Sequence, residues 1–417
     1  MKKLVLITNA FPYLPGEQFI QEEILYWAEQ KRFSVTILPI RKHENRRTIP
    51  DNIVINDALI STSKLKFLLC VIKALIDPRF FREIATLLKL NKFSRRTLSL
   101  SLTGTARIIH YDALLKQYIR TWGCADVVYC YWNNFAAYAA SDIYKKTHRK
   151  VVVSRIHRGD IYEDQSKCNY LPLKRQYVNG FDRVFCLSDN AKDYLTQHFL
   201  VEEKKLAIAK LGVSIAHSPQ FESTSNAVHI VSCSFCTPVK RVDKIINSIR
   251  ILSELCPERT IRWTHIGGGP LTASLIETAN ISYTSLKNIS YEFKGTLSNS
   301  EVLDFYNTEY ITVFINLSES EGIPVSIMEA MARGIPSIAP DIGGINTLVD
   351  SSNGALLPSH PSSREAAQAM LSIINLPTEE AKKTRQSAYQ KIASEFNGRL
   401  NYESFIGELE SLSDGEK

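Results

Sequence analysis

Short apolar runs that are rich in β-branched residues alternate with helical stretches along almost the whole chain. Polar residues, Gly or Pro separate the two kinds of segment, which is the pattern of strands connected by crossover helices. Such alternation predicts parallel sheets with helices on both faces, so we expect an α/β fold with two doubly wound domains. The predicted strands are Leu4–Thr8, Ser34–Leu38, Val127–Tyr131, Lys150–Ser154, Arg183–Leu187, Val228–Cys233, Arg262–Ile266, Ile289–Phe293, Ile311–Leu317 and Ser337–Ala339.

The length of the chain also indicates two domains, since 417 residues are enough for two separate cores. We predict an N-terminal domain of residues 1–213 and a C-terminal domain of residues 214–399. The junction lies in Lys210–His217 (KLGVSIAH), just before the polar, turn-rich stretch Ser218–Asn226.

Composition indicates a soluble globular protein of the cytoplasm, with 44% hydrophobic and 22% charged residues. The apolar run within Met1–Ala10 is only about five residues long, too short for a secretory signal. No stretch reaches the roughly 18 apolar residues of a membrane-spanning helix. The eight cysteines are scattered, as expected for reduced thiols. Cys233 and Cys236 form a CxxC pair without a second Cys/His pair at zinc spacing, which favours a structural role over metal or redox use.

The stretch Ser318–Pro336 (SESEGIPVSIMEAMARGIP) carries two glutamates across one strand-to-helix turn. After the predicted strand Ile311–Leu317, Glu321–Gly322 forms the turn, and Pro324 suits the first turn of a helix because its missing N–H costs nothing there. Gly334 ends the helix. Ligands of open α/β sheets bind at the carboxyl ends of strands, and a helix N-terminus there attracts phosphate, so we expect this turn to lie in a binding site.

The two carboxylates of this stretch require partners. The helix around Glu329 is apolar on nearly every side, so we expect Glu329 to be buried, where an unpartnered charge is costly. Helical side chains lean toward the N-terminus, so Glu329 can reach toward the turn that carries Glu321. A bound phosphate would repel both carboxylates, whereas the hydroxyl groups of a sugar or ribose would donate hydrogen bonds to them. The alternative is a buried glutamate paired with an Arg or Lys.

These residues resemble the E-x7-E motif of the retaining glycosyltransferases of family 4. The resemblance implies the GT-B fold, in which two Rossmann-like, doubly wound domains face a central cleft. It also implies that the N-terminal domain binds the acceptor, that the C-terminal domain binds a nucleotide-sugar donor, and that a last helix within residues 400–417 packs back on the N-terminal domain. Further segments that resemble the family, in family order and over nearly the whole chain, are Asn9–Glu23, Val153–Tyr162, Val231–Asp243, Ile266–Leu271, Phe293–Asn299, Asp341–Gly344 and Asn353–Gly354.

The resemblance further implies a donor site. Lys240 precedes or opens the first helix of the second domain and is implied as a diphosphate ligand; a positive charge at a helix start is unfavourable by itself, which supports a neighbouring anion. The chain departs from the family at two positions. Phe235 stands where an arginine is common, and Arg241 is the candidate to take over the role of that arginine. Thr347 stands where many relatives have Glu. Turn glycines are also common without any ligand. The implied donor-binding residues are Gly16, Lys240, Arg241, Gly267, Gly322, Ile323, Pro324 and Glu329.

Two residues are implied as catalytic: His157, beside the donor sugar, and Glu321, at the transferred sugar. His157 follows an apolar strand, flanked by Arg155, Arg158, Gly159 and Asp160, although a lone histidine is more often structural. The acceptor-side candidates are Arg158, which we expect near an acceptor phosphate, Asp160 and Trp132. Tyr131 and Trp132 end another strand, and they either stack on a sugar or pack in the core.

No cofactor or metal is expected, because no DxD-type carboxylate pair lies at a predicted strand end. Lys240 and neighbouring N–H groups would instead stabilise the charge of the leaving diphosphate. Retention of configuration is implied by the resemblance only, since no carboxylate is placed as a nucleophile of the retaining-glycosidase kind.

The net charge of +7 is concentrated in residues 61–120, where twelve Lys or Arg and three acidic residues give a charge of +9. Apolar residues are interleaved with these cations. Basic amphipathic helices lie on anionic membrane surfaces, so we expect contact with the inner-membrane surface. The alternative is the solvated basic face of ordinary helices. No nucleic-acid partner is expected, because no recognised nucleic-acid-binding signature is present.

The resemblance implies a retaining glycosyltransferase of bacterial surface-polysaccharide synthesis, for capsule, exopolysaccharide or O-antigen, because FPYLPGEQF and the segment around His157 resemble members of those pathways. The predicted donor is a nucleotide-diphosphate sugar, with a UDP-sugar favoured over a GDP-sugar. The predicted acceptor is a glycan carried on polyprenyl diphosphate, at the cytoplasmic face of the inner membrane. Two alternatives stay open: a GT-B-fold nucleotide-sugar isomerase, which needs no acceptor, and a binding or partner subunit with degenerate chemistry, as Phe235 and Thr347 suggest.

Overall fold

The computed structural model describes residues 1–14, 16–61, 63–166, 168–217, 219 and 227–415. The chain divides into two compact units, Met1–Leu211 with Leu400–Lys417, and Gly212–Arg399. The first boundary expected from the sequence, 213/214, lies two residues after the boundary in the structure. The second, 399/400, lies at the same position. The predicted turn-rich stretch Ser218–Asn226, apart from residue 219, and the last two residues of the predicted helix 400–417 lie outside the described residues.

The N-terminal unit is built on a seven-stranded parallel sheet in the order β3-β2-β1-β4-β5-β6-β7. Leu4 of the first strand is in register with Val35 on one side and Val127 on the other. The strand order reverses between the first and fourth strands, which is where open α/β sheets bind ligands. The strands are β1 (Lys2–Thr8), β2 (Phe33–Pro39), β3 (Val54–Ile55), β4 (Val127–Cys130), β5 (Val151–Arg155), β6 (Arg183–Cys186) and β7 (Leu206–Ile208).

Helices cover both faces of this sheet, so its central strands are buried on both sides. The helices are α1 (Ile20–Glu29), α2 (Lys64–Ala74), α3 (Pro78–Lys89), α4 (Arg95–Trp122), α5 (Phe135–Ala140), α6 (Arg158–Ile161), α7 (Lys174–Tyr177), α8 (Asp189–Phe199) and α15 (Gly398–Asp414). A π-helical segment, Ser141–Thr147, continues α5, and 3₁₀ turns lie at Asp57–Leu59, Glu163–Gln165, Val178–Gly180 and Glu203–Lys205.

The C-terminal helix α15 packs on the N-terminal unit, as the family resemblance implied. Phe405 contacts the rings of Trp27, Tyr129 and Phe185. Its ring also lies 4.5 Å from the guanidinium carbon of Arg155, which pairs with Glu23 below it. Both charged side chains are fully buried, so the helix seals an ion pair inside the unit.

Most of the basic segment forms three helices. The cations do not all face solvent: Arg79 is largely buried and pairs with Asp77, Asp112 and Asp142. Lys92 pairs with Glu163 at 3.0 Å. No helix in the described ranges is both long enough and apolar enough to cross a membrane.

The C-terminal unit is built on a six-stranded parallel sheet in the order β10-β9-β8-β11-β12-β13. Its strands are β8 (Val228–Cys233), β9 (Ile261–Ile266), β10 (Ile289–Phe293), β11 (Val313–Ile315), β12 (Ser337–Pro340) and β13 (Gly354–Leu357). Its helices are α9 (Val242–Leu255), α10 (Thr272–Tyr283), α11 (Asn299–Thr308), α12 (Val325–Met331), α13 (Ser363–Ile374) and α14 (Thr378–Glu395), with 3₁₀ turns at Pro238–Lys240 and Ile345–Thr347.

The turn between β11 and α12 differs in one detail from the prediction. Pro324 has φ −76° and ψ 113°, so it lies directly before the helix and the prediction that it occupies the first turn is wrong. Pro324 is the N-cap, whose backbone angles are not helical, and the helix starts at Val325. Gly334 has φ +72° and its N–H donates to the carbonyl of Met331 at 2.9 Å, which ends the helix as predicted.

Candidate functional site

In the N-terminal unit, the loops after β1, β4 and β5 meet at the carboxyl edge of the sheet. These three strands are neighbours, so side chains at their ends lie close together. Nδ2 of Asn134 donates to Oδ1 of Asn9 at 3.0 Å, and Nε1 of Trp132 donates to the carboxylate of Glu17. The predicted residues that these loops carry are Gly16, Trp132, His157, Arg158 and Asp160.

Glu17 organises the loop after β1. Its buried carboxylate accepts the N–H groups of Asn9 at 3.1 Å, Ala10 at 2.5 Å and Phe11 at 2.5 Å. Successive N–H groups of this kind form an anion-binding concavity, which the protein's own carboxylate fills. Gly16, with φ +99°, adopts a backbone conformation that favours glycine, and this turn brings Glu17 to the loop. The contact of Gly16 with a donor stays a prediction.

His157 follows β5 and packs among aromatic rings. Nε2 lies 3.1 Å from the carbonyl oxygen of Tyr131, which can only accept, so Nε2 carries the proton and Nδ1 is the acceptor atom of the ring. The ring stacks on Tyr131, with centroids 5.0 Å apart, and contacts Trp132 at 4.4 Å. Burial, reinforced by the charge of Arg155, lowers the pKa of His157 to about 3. The imidazole is therefore neutral near pH 7 and suited to positioning rather than proton transfer.

Asp160 holds the loop of His157 in place. Its Oδ1 accepts the N–H of His157 at 2.6 Å and its Oδ2 accepts the N–H of Asn133 at 2.7 Å. Nζ of the buried Lys174 donates to Oδ1 of Asn133 at 2.7 Å. Burial raises the pKa of Asp160 to about 6, opposed by Lys174 and the two N–H donors, and burial lowers the pKa of Lys174 to about 8. An acceptor contact of Asp160 stays a prediction.

Two residues near His157 have structural surroundings. For Tyr131 the sequence left two roles open, stacking on a sugar and packing in the core. The side chain is fully buried, so it packs in the core. Arg155, which we expected to contribute to a functional segment, lies inside the unit and pairs with Glu23. Its guanidinium lies among the rings of Tyr129, Tyr131 and Phe405 in the core.

A cavity of about 700 Å³ opens beside Trp132 within the N-terminal unit. The loop after β2, the start of α2, the middle of α4 and the loops after β4 and β5 form its walls. Gly159 and Asp160 line it, whereas Arg158 is not among its described lining residues. The basic residues that line it are Arg41, Lys64 and Arg107.

In the C-terminal unit, Lys240 and Glu321 form an ion pair near the carboxyl ends of β8 and β11. Nζ of Lys240 lies 2.7 Å from Oε1 of Glu321, and Nδ2 of Asn316 donates to the same oxygen at 3.3 Å. Lys240 ends a 3₁₀ turn, and Arg241 alone separates it from α9, in agreement with the predicted position just before the helix. Glu321 is thus paired with a lysine in this structure.

Arg241 is held by two carboxylates. With φ +49°, it links the 3₁₀ turn to α9, and its guanidinium pairs with Glu319 and, at 3.1 Å, with Asp243. Phe235, at the position of the family arginine, is 40% exposed. The replacement of that arginine by Arg241 stays a prediction.

Glu329 is buried, as predicted, and its Oε1 accepts a hydrogen bond from Nδ2 of Asn299 at 2.5 Å. Its charge also acts on Cys233 at the end of β8. Burial raises the pKa of the Cys233 thiol to about 12, Glu329 adds to this rise, and Lys240 opposes it. The charges of Glu329 and Lys240 thus both act on Cys233 at the carboxyl end of β8.

Two glycines of this unit are required by contacts within the protein. A Cβ on Gly344 would lie 2.7 Å from Cγ1 of Ile323, and the N–H of Gly344 donates to the carbonyl of Gly322 at 2.7 Å. A Cβ on Gly267, which has φ +138°, would lie 1.9 Å from the carbonyl oxygen of Ser234. Close packing explains both glycines, and the donor contacts of Gly267, Gly322 and Ile323 stay predictions.

The cysteines are free thiols, and Sγ of Cys236 lies 3.4 Å from Nε2 of His265. Within the part of the chain that the structure describes, no group of three or more His, Cys, Asp or Glu side chains is arranged to hold a metal ion.

Sequence reasoning missed Glu17, Asn299 and Arg41 as site residues. Glu17 and Asn299 are polar residues inside two segments that resemble the family, NAFPYLPGEQFIQEE and FKGTLSN. Their place in these segments was the signal that could have identified them. Arg41 follows a predicted strand by three residues, a position that also points to the carboxyl edge.

Comparison with known proteins agrees with this geometry. Residues 216–391 match the model of the family "Glycosyl transferases group 1". The chain is 25% identical over 270 residues to the putative colanic acid biosynthesis glycosyltransferase WcaL of Escherichia coli, covering 63% of this chain and 65% of WcaL. It is 29% identical over 193 residues to the amylovoran biosynthesis glycosyltransferase AmsK of Erwinia amylovora, covering 45% of each chain. The matched region spans less than two thirds of either relative.

Among solved structures, Anabaena HepE in complex with UDP and glucose is similar over 99% of this chain and 100% of that chain, with a TM-score of 0.64 and 16% identity. At this identity the likeness concerns the fold, and it confirms the predicted GT-B class of two Rossmann-like units. Residues 216–391 therefore form a domain of the glycosyl transferases group 1 family, and WcaL and AmsK, two of the relatives, are named for colanic acid and amylovoran biosynthesis.

Proposed function

We propose that the protein is a retaining, metal-independent glycosyltransferase that moves a sugar from a nucleotide-diphosphate donor to a hydroxyl of a glycan acceptor. The arrangement at the carboxyl end of β8 carries this proposal: the cation Lys240 pairs with the carboxylate of Glu321, and the charges of Lys240 and of the buried Glu329 both act on Cys233 at this strand end. A cation there suits a diphosphate, and carboxylates suit sugar or ribose hydroxyls. HepE, which has a similar fold, holds UDP and glucose in its crystal structure, and this supports a UDP-sugar over a GDP-sugar.

In this proposal, Lys240 leaves Glu321 and binds the diphosphate as negative charge develops on the leaving group. Glu321 is then free to accept hydrogen bonds from the transferred sugar, and Glu329 binds donor hydroxyls together with Asn299. Gly322, Ile323 and Pro324 provide the backbone of the donor turn. Retention follows from attack on the face that the diphosphate leaves, with a departing phosphate oxygen accepting the proton of the acceptor hydroxyl.

The acceptor is proposed to be a lipid-linked glycan of bacterial surface-polysaccharide synthesis, in line with the names of WcaL and AmsK. In the N-terminal unit, Trp132 offers an aromatic edge and the neutral His157 offers a fixed imidazole beside it. Aromatic rings of this kind bind the apolar faces of sugars. Asp160 and Arg158 complete the acceptor-side loop.

A donor and acceptor panel tests the proposal. Purified protein is incubated with UDP- and GDP-sugars, with and without a polyprenyl-diphosphate-linked glycan, and both released nucleotide and extended glycan are measured. We expect release of UDP that requires the glycan, with the anomeric configuration retained. Conversion of the donor without acceptor and without release of nucleotide would instead indicate an isomerase. Donor binding with neither reaction would indicate a binding subunit.

The basic segment is proposed to lie on the inner-membrane surface, through one face of α2. Phe67, Cys70 and Ala74 face α4, where they contact Ala106. The opposite face carries four apolar side chains that are each more than half exposed, two more follow directly after the helix, and Lys66 and Lys73 lie beside them. An apolar stripe flanked by lysines is the pattern of an interfacial helix. The six side chains are Leu65, Leu68, Leu69, Ile72, Leu75 and Ile76.

Replacing Leu68, Leu69 and Ile72 with serine should therefore release the protein from anionic vesicles. Each buried aliphatic side chain contributes about 1.5–3 kcal/mol, so partition into phosphatidylglycerol vesicles should fall at least about tenfold. Vesicle sedimentation measures this, and Ile281→Ser, which removes an exposed apolar side chain of the other unit, is the matched control. Activity on a water-soluble acceptor should persist. Unchanged sedimentation of the triple variant would show that this face of α2 is solvated and does not bind the membrane.

A further inference from the structure

The cavity beside Trp132 concentrates positive charge. Arg41, Lys64 and Arg107 line it, and each comes from a different element of the N-terminal unit. Burial raises the pKa of the Tyr111 phenol, and the charges of Arg107 and then Arg41 oppose this rise. Both guanidinium groups therefore lie close enough to act on one hydroxyl in the cavity wall.

Arg41, Lys64 and Arg107 are exposed at the cavity and, unlike the largely buried Arg79, they have no carboxylate partner among the described residues of the unit. Arg79 is neutralised by three carboxylates, whereas no ion pair joins Arg41, Lys64 or Arg107 to an acidic side chain among residues 1–14, 16–61, 63–166 and 168–211. The one carboxylate in the described lining is Asp160, whose oxygens accept two backbone N–H groups. The cavity therefore holds an excess of positive charge that suits a multiply charged anion.

The position of the cavity indicates which anion. One wall contains Trp132 and Gly159, next to His157. The lining also contains Lys64 and Phe67 at the start of α2, the helix that exposes leucines on another face. A molecule that fills the cavity thus contacts the loop next to His157 and the start of α2, and the exposed leucines of α2 lie farther along the same helix. Few soluble anions need both surroundings.

We propose that this cavity binds the diphosphate of the lipid-linked acceptor, with Arg41, Lys64 and Arg107 as its cationic ligands. The proposal rests on the proposed function and adds the site at which the acceptor is recognised. The glycan extends from the diphosphate toward Trp132 and His157, and the lipid leaves along α2 toward the membrane. Bidentate guanidinium groups suit phosphate oxygens, and Lys64 adds a third positive charge.

Calorimetry on the full chain tests this with three probes: farnesyl diphosphate, inorganic diphosphate and farnesol. Wild type should bind farnesyl diphosphate most tightly, because it alone offers both the anion and the lipid. Arg107→Gln should raise its Kd by about tenfold or more, since a charge-assisted contact is lost. Lys64→Gln should act in the same direction. Arg96 is an exposed cation of α4, the helix that also carries Arg107, and it does not line the cavity. Arg96→Gln should therefore change the Kd for farnesyl diphosphate by less than about twofold.

Several outcomes would overturn the proposal. Equal affinity for farnesyl diphosphate and inorganic diphosphate would show that the cavity binds anions in general. Equal effects of Arg107→Gln and Arg96→Gln on the Kd would show that the cavity does not bind the acceptor. Thermal unfolding of each variant shows whether it is folded, and UDP affinity should be unchanged in all of them. If wild type binds farnesyl diphosphate but transfers no sugar, the proposed function fails while the cavity assignment stands. If it transfers sugar but binds no farnesyl diphosphate, the cavity assignment alone fails.

Discussion

Glu23→Gln should lower the free energy of unfolding of the N-terminal unit by about 3–5 kcal/mol, because it leaves the Arg155 guanidinium buried without its counter-charge. The two side chains are fully buried, with Nη1 and Oε2 2.5 Å apart. Nε1 of Trp27 also donates to the Glu23 carboxylate at 3.1 Å, and Phe405 of α15 covers the guanidinium. For a unit of this size, the midpoint of thermal unfolding should fall by roughly 6–20 °C.

The double variant Glu23→Leu, Arg155→Met separates the charge from the packing. Nε and Nη2 of Arg155 have no hydrogen-bond acceptor among the described residues, so the pair is itself incompletely satisfied. Replacing both partners with apolar side chains should therefore recover most of the stability that either single change loses. Arg250→Gln, which breaks an exposed pair with Glu254, should cost less than about 0.5 kcal/mol. A stable Glu23→Gln protein would show that the pair is not needed for the fold.

The architecture of each unit could be predicted because the periodicity of apolar residues and the length of the apolar runs distinguish buried strands from helices. The ten predicted strands coincide with strands of the two sheets, although Ile311–Leu317 shortens to Val313–Ile315. The strands that were missed are the edge strands β3, β7 and β13. An edge strand is paired on one side only and is short, so its apolar signal is weak.

The site could be predicted less completely, for a physical reason. Motif positions such as Lys240, Glu321 and Glu329 follow from local sequence, but their partners do not. Asn299 lies 30 residues from Glu329, and Trp132 lies 115 residues from Glu17. Strand order in the sheet sets such pairings, and strand order cannot be obtained from local periodicity.

The second large effect concerns donor binding. Lys240→Ala should raise the Kd for UDP by about 10–100-fold, because it removes a charge-assisted contact to the diphosphate and leaves the Glu321 carboxylate unneutralised beside it. Calorimetry with UDP measures this, and Lys287→Ala, an exposed lysine of the same unit, is the matched control. An unchanged Kd for UDP would remove Lys240 from the phosphate site.

His157→Ala should do the reverse, lowering kcat by roughly 10²–10³-fold while the Kd for UDP changes by less than about twofold. His157 belongs to the N-terminal unit and Lys240 to the C-terminal unit, so each variant should affect one substrate. Because burial and Arg155 lower the pKa of His157 to about 3, the neutral ring persists above that pH. The kcat profile of the wild type between pH 5 and 8 should therefore contain no step from this group. His198→Ala, an exposed histidine of the same unit, is the control. Loss of UDP binding in His157→Ala as large as in Lys240→Ala would contradict this division of roles.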